Sequence, residues 1–183
     1  MAIGTVSKEA IHNATLVLKG MIAISRLRFP KGLSGKDIDA LARAPLWAEG
    51  KDFDHGTGHG VGSYLSVHEG PQRISKVSTV PLQAGMIVSN EPGYYVTDTY
   101  GIRIENLIYV KPAGPMDGAD DRDMLEFHTL TLAPFDKAMI EIDLLSDAER
   151  TWLNDYHQKV WDTLKDLVSE STKPWLKQAC SAL

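Results

Sequence analysis

His55-Gly56-Thr57-Gly58-His59-Gly60-Val61-Gly62 is the stretch on which the reading of this chain turns. Glycine at every second position implies backbone turns and close backbone approaches rather than a regular element, and such loops are where function concentrates. Three further segments follow it: Val67-His68-Glu69-Gly70-Pro71, Asn90-Glu91-Pro92-Gly93-Tyr94-Tyr95 and Gly101-Ile102-Arg103-Ile104-Glu105. Met86 to Ser89 is apolar and β-prone, so Glu91 falls at the end of a strand just ahead of a Pro-Gly turn. Over Gly101 to Val110 the alternation of a single strand puts Ile102, Ile104, Ile108 and Val110 on one side. Arg103, Glu105, Leu107 and Tyr109 take the other, so Arg103 and Glu105 share a face.

Working outward, the flanks read mainly as helix. Ile11, Ala14, Leu18, Met21 and Ile22 recur at helical spacing behind Ser7 as N-cap, with Glu9 in the first turn, and Pro30 limits the run. Ser34 with Asp37 opens a short second helix through Ile38, Leu41 and Ala42, which Pro45 is expected to close. Beyond the motifs, Leu125 to Leu132 reads as a strand, preceded by a polar Gly- and Asp-rich connection at Gly114 to Asp123. Ser146 with Glu149 forms a capping box. Behind it Leu153, Tyr156, Val160, Leu164 and Leu167 make one apolar stripe, and Pro174 opens a last helix ending near Leu183.

At 183 residues, with 43% hydrophobic and 23% charged side chains, the composition is that of a globular chain with one core. A formal charge of -5 gives no electrostatic reason to sit on nucleic acid or an anionic membrane. Cys180 is the only cysteine, which fits a reducing compartment and leads us to expect a cytoplasmic protein. There is no signal-peptide pattern over Met1 to Leu18 and no apolar run of membrane-spanning length.

Taken together and in this order, the four motifs resemble the pita-bread metallopeptidases, and His-Gly-Thr-Gly-His-Gly-Val-Gly followed by His-Glu-Gly-Pro resembles the three-domain Xaa-Pro aminopeptidases. The resemblance runs from about Ser7 to Leu183 and includes Trp152-Leu153-Asn154-Asp155-Tyr156-His157. It implies an α+β chain with a partial pita-bread fold, a mainly antiparallel curved sheet carrying helices on its outer face. Residues 1–183 would form the C-terminal portion of the catalytic domain, with a helical extension from about 145 to 183. The implied activity is hydrolysis of the bond between an N-terminal residue and a following proline, on peptides with proline second, at a site of two metal ions, usually manganese.

By the same resemblance His59, Glu91 and Glu105 are the expected metal ligands, with Glu91 also placed to receive a proton from the nucleophile. His55 and His68 are the expected catalytic histidines, and Arg103 would orient a carboxylate or contact substrate backbone. One imidazole with carboxylates suits Mn²⁺, although ligand type also admits Zn²⁺ or Co²⁺. Glu69, His12, His128 and His157 are assigned no chemistry, and Asp37, Asp39, Asp52 and Asp54 lie in the wrong context for ligands.

Two aspartates that the family places ahead of the first helix are not found. The chain opens at Met1-Ala2-Ile3-Gly4-Thr5, just after the second would stand, as an excised piece or truncated product would. Three ligands should hold at most one ion, so weak or no metal binding and little activity are expected of these residues alone. Strands missing from the sheet should expose an edge or an apolar face, which homodimerisation or domain swapping could cover. The rival readings are a catalytically silent pita-bread module that binds a peptide or partner, and another enzyme of the same fold: a prolidase-type dipeptidase, a methionine aminopeptidase or a creatine-hydrolysing relative.

Overall fold

The computed structural model describes residues 2, 4–64 and 66–183. Met1 and Ile3 of the opening segment lie outside the described residues. The chain divides into two compact units, Val17–Thr131 and Met1–Leu16 with Leu132–Leu183.

In the first unit, helix α1 (Lys8–Ser25) enters with its second half. Strand β1 (Arg28–Pro30), helix α2 (Gly35–Trp47), and strands β2 (Gly58–His59), β3 (Arg73–Ile74) and β4 (Ile87–Asn90) follow. Then come β5 (Gly93–Val96), β6 (Tyr100–Arg103), β7 (Asn106–Pro112) and β8 (Met124–Thr129). Among the described residues all strand pairings are antiparallel. A four-stranded sheet has the order β1-β8-β7-β4, and β2-β3 and β5-β6 form two-stranded sheets. The core is apolar, built on Ile24, Phe29, Ile38, Ala42, Ile74, Leu82, Val88, Ile108, Val110, Leu125 and Phe127.

The segment read as one strand over Gly101 to Val110 is two, β6 and β7, with a break at Ile104-Glu105. The cause lies across the hairpin. The register that pairs Asn90 with Asn106 is the same that pairs Gly93 with Arg103, so Pro92 falls opposite Ile104. Ile104 donates its N–H to the Pro92 carbonyl at 3.2 Å, but proline has no N–H to return and the ladder lapses there. The alternation survives the break: Ile108 and Val110 are buried on one side, and Arg103 and Glu105 are exposed on the other.

The helix starts follow from their caps. Ser7 Oγ accepts from the Ala10 N–H at 3.1 Å, and the Asp37 carboxylate accepts from the Ser34 N–H and hydroxyl, both at 2.8 Å. Pro45 does not close α2. It sits in the last turn, and the helix runs on to Trp47, because only one backbone bond is lost that near the end. Leu41 lies on the outer side of α2, 40% exposed, while Ile38, Asp39, Ala42, Arg43 and Leu46 form the buried stripe.

The two edges of the four-stranded sheet are not alike. The outer side of β4 is covered by residues 57–61: Val61 donates to the Ile87 carbonyl at 3.1 Å, Glu91 donates to the Thr57 carbonyl at 2.7 Å, and Gly60 bridges to Val88. The opposite edge, β1, has three residues and ends in Pro30, a short proline-blunted edge of the kind that resists pairing.

In the second unit, helix α3 (Asp147–Leu164) starts at the Ser146-Glu149 capping box, and helix α4 (Lys173–Ala179) has Pro174 in its first turn. Leu153, Tyr156 and Val160 are buried as the stripe requires. Leu167 is not part of it: α3 has ended and Leu167 is 76% exposed. The Tyr156 hydroxyl donates to the Ala133 carbonyl at 2.9 Å, and His157 Nε2 accepts from the Phe135 N–H at 3.1 Å. The Lys137 ammonium donates to the Gln178 and Ser181 carbonyls, capping the end of α4. Strand β8 stops at Thr129, short of the Leu132 end read from sequence, and residues 132–136 run without regular structure.

Candidate metal centre

The hairpin places the two glutamates. Continuing the shared register of β4-β7 and β5-β6 through the break sets Glu91 opposite Glu105. Like charges directly opposed across strands are destabilising by themselves, which makes the pair a signal for a cation between them.

The third member comes from the glycine loop. Strand β2 lies along β4, where the His59 N–H donates to Ser89 Oγ at 2.9 Å. Glycine is obligatory at position 58, since a Cβ there would run into the Ser89 carbonyl oxygen. His59 Nδ1 is 3.0 Å from the Gly60 carbonyl. With that bond fixing the proton on Nδ1, Nε2 presents its lone pair 3.3 Å from Glu91 Oε1. Ser89 Oγ also donates to Glu91 Oε1 at 2.9 Å, so one serine ties the histidine strand to the first glutamate.

One ligand atom from each of His59, Glu91 and Glu105 lies within 4.8 Å of the others. Donors on opposite sides of an ion at roughly 2.0–2.5 Å are separated by about that distance, so the set fits a hard or borderline divalent cation in both span and chemistry. Two carboxylates and a neutral imidazole also match its charge.

The other expected residues surround this cluster. His55, His59, His68, Arg73, Glu91 and Arg103 line a cavity of about 420 Å³. The His68 ring stands 4.1 Å from that of His59, centroid to centroid. His55 is engaged at both nitrogens, Nδ1 with the Gly56 carbonyl and Nε2 with the Tyr95 hydroxyl, each at 2.8 Å. Arg103 Nε donates to the Tyr95 oxygen at 2.9 Å, and its Nη1 is 3.6 Å from Glu91 Oε2. The bond to Tyr95, with the charges of Glu91 and Glu105 added, holds the Arg103 guanidinium above its ordinary pKa. A consistent chain of donors results, from Arg103 to Tyr95 to His55 to the Gly56 carbonyl, so Tyr95 links two residues of the cavity wall, His55 and Arg103. Glu69 ties the loop by its backbone, donating its N–H to the Gly60 carbonyl at 2.9 Å.

Sequence reading missed the support beneath this loop. Arg43, 1% exposed, donates to Asp39 at 2.7 Å, to Asp52 at 2.8 Å, and to the Phe53 and His55 carbonyls at 2.6 and 2.8 Å. Asp39 accepts in turn from the Thr57 hydroxyl at 2.8 Å. Burial opposes charge on Arg43, yet Asp39 and Asp52 hold its pKa above the usual value. The only advance signal was a charged i,i+4 pair on the buried stripe of α2.

Residues 1–112 match metallopeptidase family M24, and residues 123–183 match the C-terminal region of peptidase M24. The chain belongs to metallopeptidase family M24. It is 43% identical over 185 residues to a probable Xaa-Pro aminopeptidase P of Laccaria bicolor, an alignment covering 98% of this chain and 29% of that protein. The crystal structure of X-prolyl aminopeptidase from Caenorhabditis elegans, described as a cytosolic enzyme with a di-nuclear active site, superposes with a TM-score of 0.90 at 41% identity. That match covers 98% of this chain and 30% of the other. Prolidase from Pyrococcus furiosus is more distant, with a TM-score of 0.54 and 31% identity over 60% of this chain and 32% of its own. These neighbours establish the α+β pita-bread class. The chain spans less than a third of the length of these relatives. Among the described residues, no helix is long and apolar enough to cross a membrane.

Proposed function

We propose that this chain carries one part of the metal site of a Xaa-Pro aminopeptidase, with His59, Glu91 and Glu105 as metal ligands. The observation that carries the reading is the convergence of one imidazole and two opposed carboxylates from separate strands within 4.8 Å. The similarity to the aminopeptidases over nearly the whole chain, against the shorter match to prolidase, supports that enzyme over a dipeptidase.

A divalent ion here, which we take to be manganese, would supply Lewis-acid polarisation and an acidified water. The chain's own residues do the rest. Glu91 receives the proton of the attacking water, and Ser89 holds it in place for that. His68 donates to the oxyanion developing on the scissile carbonyl, a contribution of about 10² to 10³ in rate for donors of this kind. Arg103, fixed by Tyr95, orients the substrate backbone, and His55 fixes Tyr95. Three ligands hold at most one ion, so these 183 residues alone are inactive or nearly so. The description of the Caenorhabditis elegans relative as cytosolic supports a cytoplasmic site of action.

The test is a graft. Placing these residues in the corresponding position of the Laccaria bicolor protein should give a chimera that, with Mn²⁺, releases the first residue of a peptide with proline second. Glu105→Gln should abolish the release. A folded, metal-loaded chimera that cleaves without regard to proline would overturn the reading. Robust turnover by the 183 residues alone would overturn the ligand count.

A further inference from the structure

Two guanidinium groups line the metal-centre cavity, and they differ in status. Arg103 is engaged, by Tyr95 at 2.9 Å and Glu91 at 3.6 Å. Arg73 has no hydrogen-bond or ion-pair partner for its side chain among the described residues, and it is exposed.

Its placement follows from register. Strands β2 and β3 pair Gly58 with Ile74 and His59 with Arg73. Ile74 is fully buried in the apolar core, so its neighbour Arg73 faces the other way, the way His59 faces. Directly paired residues have Cβ atoms about 5 Å apart. An unneutralised, pre-placed cation therefore stands beside the expected metal-binding histidine, at the wall of the same cavity. Unlike the buried Arg43, its head group ties down no loop among the described residues.

We propose that Arg73 is a specificity-determining residue that receives a carboxylate of the bound peptide on the side leading away from the scissile bond. This rests on the peptide-site reading given above. An extended peptide advances about 3.3–3.6 Å per residue, so a carboxylate one or two residues past the bond being cut comes within reach of the long arginine side chain. The planar guanidinium suits such a group because it meets both oxygens at once. The carboxylate is either the C-terminus of a short peptide or an acidic side chain at the third position.

The experiment measures binding, so it does not require turnover. The chain, with Mn²⁺ present, is titrated by calorimetry with three probes: Ala-Pro-Ala as free acid, Ala-Pro-Ala amide and Ala-Pro-Glu amide. The free acid, the Glu amide or both should bind about fivefold more tightly than the Ala amide, and which one does identifies the source of the carboxylate. Arg73→Ala should erase the preference with thermal unfolding unchanged, and Arg73→Lys should keep part of it. Equal binding of all three probes, or a preference that survives Arg73→Ala, overturns this inference alone. No binding by any probe overturns the peptide-site reading and the inference with it.

Discussion

Replacing Arg43 with leucine should be among the most damaging single changes to the site-bearing unit, although Arg43 touches no expected ligand. The Arg43 side chain is 2% exposed, as is that of Asp39 with which it pairs. It donates to two carboxylates and two backbone carbonyls and lies 3.9 Å from the centre of the Phe53 ring. Leucine fills part of the volume but leaves Asp39 buried with only the Thr57 hydroxyl, and it strips the Phe53 and His55 carbonyls of their donor. Breaking a buried pair from one side costs about 3–5 kcal/mol, a large share of the roughly 5–15 kcal/mol that holds a domain folded.

The assay is urea unfolding followed by tryptophan fluorescence, with the midpoint compared at constant m-value. Asp39→Asn alone should cost nearly as much, and the double variant much less than the sum, because removing the second partner also removes the stranded charge. A loss below about 1 kcal/mol for Arg43→Leu, or strict additivity in the cycle, would refute the claim that this pair fixes the His55 to His59 loop.

Other expectations follow from local geometry. Gly58→Ala should destabilise by about 1–3 kcal/mol, since the new Cβ meets the Ser89 carbonyl. Gly114→Ala, where a Cβ meets nothing, should leave the thermal midpoint unchanged. His157 is fully buried, and burial, aided by the Lys137 charge, pushes its pKa from 6.5 down to about 4. The unfolded chain therefore binds a proton that the folded chain refuses. The stability from His157 is complete above about pH 6.5 and falls as pH drops through 6.5 toward 4, by up to about 3 kcal/mol. Chemical unfolding at pH 7 and pH 4.5 should show this loss, and His157→Gln should reduce it.

Much of this molecule was legible before its coordinates. The caps at Ser7, Ser34 and Ser146 marked helix starts because a side-chain oxygen facing orphan N–H groups is a local affair. Alternation set Arg103 and Glu105 on one face because side-chain direction in a strand has a period of two, while the opposition of Glu91 to Glu105 came only with the register. What could not be read depends on partners distant in sequence. The break at Ile104-Glu105 is imposed by Pro92 from the opposite strand. The run of α2 past Pro45 depends on where the last turn falls, and Leu167 lost its place in a stripe because α3 stops at Leu164. Arg43 carried no motif, since half of its bonds are to main-chain carbonyls, which any sequence supplies. Arg73 became visible only through its pairing with His59.

If His59, Glu91 and Glu105 act together on one cation, titration of the chain with Mn²⁺, followed by the loss of the free-ion paramagnetic resonance signal, should show weak, saturable uptake of a single ion. A shared site requires the affinity to fall roughly tenfold or more with His59→Ala or Glu105→Gln and to be untouched by Cys180→Ser. No saturable uptake, or uptake equal in the native chain and in both ligand variants, would contradict it.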